Sequence, residues 1–203
     1  MIPKKLQKEP FNLVVAGVGG QGNVLLSALV GAALVNEGFI VTVADTFGVS
    51  QRGGSVTSHV RVSEKTSYSS ITLKGKADII LGMEPIETIR ALGEFGNPDV
   101  FTIVNPRPIF TMGGVGYPDM EDVNKAIRGL SSEIKFVYAT EEALKMGNPI
   151  YSNIIFCGAL VGAEMLPIDK QSIVDVLKER FSGKILEGNI KAFDKGMELI
   201  ANA

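Results

Sequence analysis

Asn12-Leu13-Val14-Val15-Ala16-Gly17-Val18-Gly19-Gly20-Gln21-Gly22 carries the strongest fold signal in the chain. An apolar run of strand character breaks into glycines at 17, 19, 20 and 22, and a helical pattern follows at once. Gly17, Gly19 and Gly22 keep the G-x-G-x-x-G spacing. Glycine turns tightly, lets a ligand approach the backbone, and packs a helix against a strand. The start of that helix offers free N–H groups and a positive dipole end to an anion. The pattern sets the class and leaves the ligand open.

Outward from this turn, strand and helix signals alternate. Residues 13–16 read as a short buried strand, and residues 22–37 as a helix apolar on nearly every side. Gly38 suits the position just past its end. Residues 39–44 read as a second strand ending at Asp45, and residues 46–54 as a polar, glycine-bearing loop. Residues 55–62 alternate, with Val56, Ser58, Val60 and Val62 on one face and Ser55, Thr57, His59 and Arg61 on the other, which predicts a half-exposed strand. A turn near Glu64-Lys65 and a returning strand over 66–73 complete a hairpin. Further strands are expected at 77–81, 100–104 and 136–139. Helices are expected after Pro85, from a cap at Asp119 to about 130, from a cap at Thr140 to about 146, and from Asn153 onward with breaks near Pro167 and Gly183. Residues 105–118 hold prolines and glycines and read as a loop. The expected architecture is α/β and Rossmann-like: a doubly wound, mostly parallel sheet with antiparallel strands around residues 55–73.

Length and composition bound the rest. A chain of 203 residues supports one well-buried core, so residues 1–203 are read as a single domain whose first ten residues form a flexible tail. The hydrophobic share is 45%, the charged share 21% and the mean hydropathy +0.22, which excludes disorder and suits a subunit that covers surface against a partner. With a net charge of −2 and basic residues clustered only at Lys4, Lys5 and Lys8, nucleic acid is a poor partner. Cys157 is the single cysteine, so no intrachain disulfide forms and no iron–sulfur cluster, which takes about four thiolates, is held. Neither a signal-like start nor a membrane-length apolar run is evident, and the cytoplasm is the expected location.

Several side chains admit two readings. Asp45 ends the second strand where a dinucleotide-binding fold places its ribose acid, or it fixes the loop. Gln21 and Asn23 crowd the turn with amides that suit a phosphate, a neighbouring loop or a partner chain. Gln51, Arg52, Gly53, Gly54 and Ser55 follow the second strand and share the carboxyl edge of the sheet with the glycine turn. There an arginine among small residues suits an anion, and consecutive glycine N–H groups suit a nest. The alternative is a tight turn with a solvated arginine. His59 on the polar strand face reads as structural, Cys157 as a buried inert thiol, and Glu84 and Glu87 as favourable acids at a helix start. Tyr117 and residues 113–116 form a lid or an ordinary loop. No nucleophile elbow, Walker lysine, H-E-x-x-H or cysteine pair is present, so no self-contained catalytic machine is evident and no residue is assigned as catalytic.

Taken together, Gly17-Val-Gly-Gly-Gln-Gly22, Asp45-Thr-Phe-Gly-Val-Ser-Gln-Arg-Gly-Gly-Ser-Val56 and Ser58-His-Val-Arg61 resemble the gamma-type subunit of 2-oxoacid:ferredoxin oxidoreductases. Within that family the chain is most similar to the small (beta) subunit of the indolepyruvate enzymes. The resemblance runs from Phe11 to about Met197, and Asn153 fits the pattern too. It implies a complex that oxidatively decarboxylates a 2-oxo acid, indolepyruvate or another aryl pyruvate, to an acyl-coenzyme A while reducing ferredoxin. It places thiamine diphosphate, Mg2+ and [4Fe-4S] clusters on larger partner subunits and leaves this chain inactive alone. In that setting Gly17, Gly19, Gly20, Gln21 and Gly22 form one wall of an anion-accepting crevice for coenzyme A, and Gln51, Arg52, Gly53, Gly54 and Ser55 the other. Both loops docking on the partner is the competing reading. A stand-alone dinucleotide-binding protein and a purely structural scaffold are the alternative functions.

Overall fold

The computed structural model describes residues 5–48, 54–110 and 116–203. Six strands form one sheet in the order β2-β3-β1-β4-β5-β6. β1 (Phe11–Val18) sits centrally. It runs parallel to β4 (Ile79–Gly82), which is followed outward by β5 (Phe101–Val104) and β6 (Glu133–Phe136), all parallel. On the other side β3 (Ser55–Ser63) runs antiparallel to both β1 and β2 (Ile40–Phe47). Five strands therefore end on one carboxyl edge, and β3 alone starts there.

Both sheet faces are covered, which explains why β1 is buried along its whole length. Leu13, Val15, Val60, Val62, Leu81 and Ile103 point to the side occupied by α1 (Asn23–Asn36), α4 (Ala139–Lys145), α5 (Ser152–Gly162), α6 (Lys170–Arg180) and α7 (Gly183–Ala201). Val14, Ala16, Ile80 and Val104 point to the opposite side, against α2 (Pro85–Phe95) and α3 (Met120–Leu130). Pro85 opens α2, Asp119 caps α3, and Gly38 takes φ +93° behind α1, as their positions in sequence predict. At the opposite, amino edge, Asp78 accepts from the Asn12 N–H and pairs with Lys8 at 2.9 Å, and Leu6 N donates to Glu64 at 2.8 Å.

Four expectations are corrected. β3 is buried rather than half-exposed: His59 has no exposed surface and Arg61 is 6% exposed. The segment after the turn covers that polar face without forming a strand over 66–73. Arg61 Nη1 donates to the Ser69 carbonyl (2.8 Å) and hydroxyl (2.7 Å), its guanidinium lies 5.2 Å from the Tyr68 ring centroid, and Thr42 donates to the Tyr68 carbonyl. Those side chains satisfy backbone groups that a ladder would otherwise claim. β6 falls at Glu133–Phe136, three residues earlier than the apolar run 136–139 suggests. That run instead leads into α4, with Val137 N bonded to the Val104 carbonyl. The cap of α4 is Tyr138, and Thr140 is the second residue of its first turn, accepting from Asn105 Nδ2 at 2.9 Å.

Candidate functional site: the glycine turn at the carboxyl edge

The turn between β1 and α1 is built from within by two amides. Gln21 folds back so that its Oε1 accepts from Val18 N at 2.7 Å and its Nε2 donates to the Met83 carbonyl at 2.8 Å. Asn23 Nδ2 donates to the Val56 carbonyl at 3.0 Å. A Cβ on Gly17 would stand 2.6 Å from Gln21 Oε1 and 2.9 Å from Asn23 Nδ2, so Gly17 is needed to seat these amides. Gly20 and Gly22 take φ +101° and +87°, the left-handed region that favours glycine. Gly22 is the cap of α1 and has a second constraint: a Cβ there would run into the Asn153 carboxamide at the start of α5.

The second loop meets the first through its described end. Gly19 N donates to the Gly54 carbonyl at 2.9 Å, and Gly48 N to the Ser55 carbonyl at 2.7 Å. Ser55 stands opposite Val18 in the β1–β3 register. Gln51, Arg52 and Gly53 lie outside the described residues, as do residues 113–115 of the expected lid segment.

Two grooves flank the turn and share Gly20 and Gly22. The larger, of about 910 Å3, lies toward β2 and β3. Val24, Phe47 and Val56 give it an apolar wall, with Asn23 inside and the exposed Arg180 of α6 at its rim. The smaller, of about 390 Å3, lies toward β5 and α5 and is lined by Arg107, Ile109, Ile150 and Asn153. Sequence reasoning missed both arginines, because neither lies near the glycine motif in the chain. The first helical bond of α1 is Leu26 N to the Gly22 carbonyl, so the N–H groups of Asn23, Val24 and Leu25 precede it. Asn23 is 2% exposed and Asn153 4%, yet among the described residues Oδ1 of each has no hydrogen-bond partner. Buried carbonyls left unmatched beside a groove signal a missing donor.

Of the other candidates, Asp45 accepts from the Ser58 hydroxyl on the neighbouring strand, and β3 separates β2 from β1. Two strand spacings, about 9–10 Å, thus stand between Asp45 and the strand that carries the glycine turn, which disfavours a ribose role. His59 Nδ1 accepts from Thr72 N, its ring meets Phe95 edge-on at 5.0 Å, and burial lowers its pKa from 6.5. Cys157 is fully buried in α5 and burial pushes its thiol up to about 12, so it offers no thiolate to a cluster. Among the described residues, no group of three His, Cys, Asp or Glu side chains is placed to hold a metal ion, and no helix is long and apolar enough to cross a membrane.

Comparison with known proteins gives this arrangement a family. Residues 12–199 match the pyruvate ferredoxin/flavodoxin oxidoreductase family. The chain belongs to that family. It is 33% identical over 194 residues to the indolepyruvate oxidoreductase subunit IorB of Pyrococcus horikoshii, covering 93% of this chain and 95% of that protein. It is 29% identical to the pyruvate/ketoisovalerate oxidoreductases common subunit gamma of Pyrococcus abyssi, covering 90% and 92%. Among solved structures, the 2-oxoglutarate:ferredoxin oxidoreductase of Magnetococcus marinus superposes with a TM-score of 0.76 at 22% identity, over 97% of this chain and 32% of that one. That enzyme was solved with 2-oxoglutarate, coenzyme A and succinyl-CoA bound. The fold is therefore shared, and the chain is a gamma-type, small subunit of a 2-oxoacid oxidoreductase.

Proposed function

We propose that this subunit serves a complex that oxidatively decarboxylates indolepyruvate or another aryl pyruvate to the acyl-coenzyme A and passes the electrons to ferredoxin. Its part is to bind and orient coenzyme A at the subunit boundary. The observation that carries this reading is the glycine turn itself. N–H groups in the first turn of α1 and the Oδ1 atoms of two buried carboxamides, all without a partner among the described residues, open onto grooves at the carboxyl edge of the sheet, where open α/β folds bind ligands. A polyphosphate suits the N–H groups and the guanidinium of Arg52, and the pantetheine amides supply N–H donors that the Asn carbonyls lack. Gly17 and Gln21 shape the turn from inside; Gly19, Gly20 and Gly22 bring backbone to the ligand; Gln51, Arg52, Gly53, Gly54 and Ser55 form the facing wall.

Thiamine diphosphate would supply the carbanion chemistry and iron–sulfur clusters the electron path. The one cysteine, buried and held protonated, does not suit a cluster, and the sequence has no Gly-Asp-Gly segment of the kind that holds magnesium and thiamine diphosphate. Both groups accordingly belong to larger partner subunits, and the chain is inactive without them. Its location in this reading is the cytoplasm.

One observation favours docking as a further duty of the same edge. Phe47 and Ile150 are 68% and 71% exposed and line the two grooves, and Phe110, 73% exposed, directly follows Ile109 of the smaller one. Apolar anchors of this kind suit a subunit interface. Arg52→Ala in the assembled complex separates the two duties. The ligand role predicts a higher coenzyme A KM with assembly intact. Failed assembly with an unchanged KM in the residual complex would make the loop an interface element instead.

A further inference from the structure

Glu84 is a buried carboxylate that the glycine turn does not use. It is 2% exposed and caps α2, with Oε2 accepting from Glu87 N at 2.9 Å. Its other oxygen reaches across to the segment joining β5 to α3. Oε1 accepts from Ile109 N at 3.4 Å and from the Tyr117 hydroxyl at 2.5 Å. One carboxylate therefore catches this strap both on its way out and on its way back. The charge-assisted bond from the hydroxyl is the stronger of the two contacts. Burial, and next the bond to Glu84, raise the Tyr117 pKa well above its ordinary value. Tyr117 also meets Phe110 edge-on, with ring centroids 5.6 Å apart.

Two residues before the first of these ties stands Arg107. Pro106 and Pro108 flank it, so the backbone on either side is stiff and Ile109 is the next residue with an N–H to give. At the base of the strap Asn105 is buried and donates to Thr140 and to the Met83 carbonyl, the group that also receives Gln21. The Arg107 side chain lines the smaller groove beside Gly20, Gly22 and Asn153, and makes no ion pair or hydrogen bond among the described residues. A cation is thus held at the turn by a segment whose position depends on a remote, buried acid.

We propose that Glu84 is a positioning residue: through Ile109 and Tyr117 it fixes the strap that presents the Arg107 guanidinium to the anionic part of the ligand at the glycine turn. This rests on the reading of that turn as a coenzyme A site. Glu84 touches no ligand itself. Its effect is to keep Arg107 in place before binding, so that the ligand need not order the strap.

The test uses the assembled complex carrying Glu84→Gln, Tyr117→Phe or Arg107→Ala, with coenzyme A varied, together with hydrogen exchange of residues 105–110 and 116–119. Tyr117→Phe removes one hydroxyl and guards against a folding defect in Glu84→Gln. Both variants should raise the coenzyme A KM roughly fivefold to tenfold, with kcat at saturation retained and faster exchange confined to the strap. Arg107→Ala should raise KM at least as much, and adding Glu84→Gln to it should raise KM no further. If Arg107→Ala raises KM while Glu84→Gln and Tyr117→Phe leave it unchanged, the positioning role is overturned and the site survives. If none of the three, nor Arg52→Ala, moves KM, the reading of the site falls and the role with it. A loss of kcat at unchanged KM, or exchange that rises throughout the chain, would make Glu84 a general structural acid.

Discussion

Gly22→Ala is the perturbation that best isolates the geometry of the turn. Gly22 and Gly20 both hold left-handed backbone, at φ +87° and +101°. For alanine that conformation costs about 1–2 kcal/mol. At Gly20 this is the whole effect, since a Cβ there meets nothing within 4 Å. At Gly22 the new methyl group must also displace the Asn153 carboxamide, which is buried in the first turn of α5. Overpacking of this kind adds about 1–3 kcal/mol. Gly22→Ala should therefore destabilise the chain by roughly 2–5 kcal/mol and Gly20→Ala by about 1–2 kcal/mol. For a chain of this size each kcal/mol lowers Tm by about 2–4 °C. Urea unfolding and thermal melts of both variants read the difference directly. Combining Gly22→Ala with Asn153→Ala should recover the collision, giving a coupling of about 1–2 kcal/mol. Equal losses for the two glycine variants, or no coupling with Asn153→Ala, would refute the packing argument.

Gln21→Ala removes the acceptor of Val18 N and the donor to the Met83 carbonyl, and should cost about 1–3 kcal/mol, seen as a lower urea midpoint at constant m; an unchanged midpoint would mean that water replaces the amide. His59 has a folded pKa below its ordinary 6.5, so the unfolded chain binds the extra proton first. Stability should be level above pH 6.5 and fall as pH drops from 6.5 toward the folded value, and His59→Gln should flatten that window in pH-dependent unfolding.

The parts of this fold legible in the sequence are those fixed by local chemistry. The apolar run 13–16 ending at Gly17, Pro85 at the start of α2, the cap Asp119, and Gly38 behind α1 all say locally what they do. The alternation of β3 is equally readable, but its burial is not. His59 and Arg61 look solvent-facing until residues 64–76, which have no periodicity of their own, fold over them. β6 slipped because Val137 and Ala139 are apolar for the sake of the core around α4 rather than as strand residues. At the site, the glycines are legible and their partners are not. Asn153 stands 131 residues beyond Gly22 (153 − 22), and Arg107 and Arg180 reach the grooves from the β5–α3 connection and from the end of α6. Such meetings are products of topology, and no local spacing encodes them.

The proposed role of the glycine turn is service to coenzyme A inside the complex only. The direct measurement is coenzyme A-dependent ferredoxin reduction with indolepyruvate, run on the purified chain alone, on the complex with its larger subunit, and on the complex carrying Gly22→Ala. The chain alone should give no turnover, the complex should turn over, and the variant complex should show a raised coenzyme A KM. Turnover by the isolated chain, or a variant complex whose coenzyme A dependence matches the unaltered one, would contradict that role.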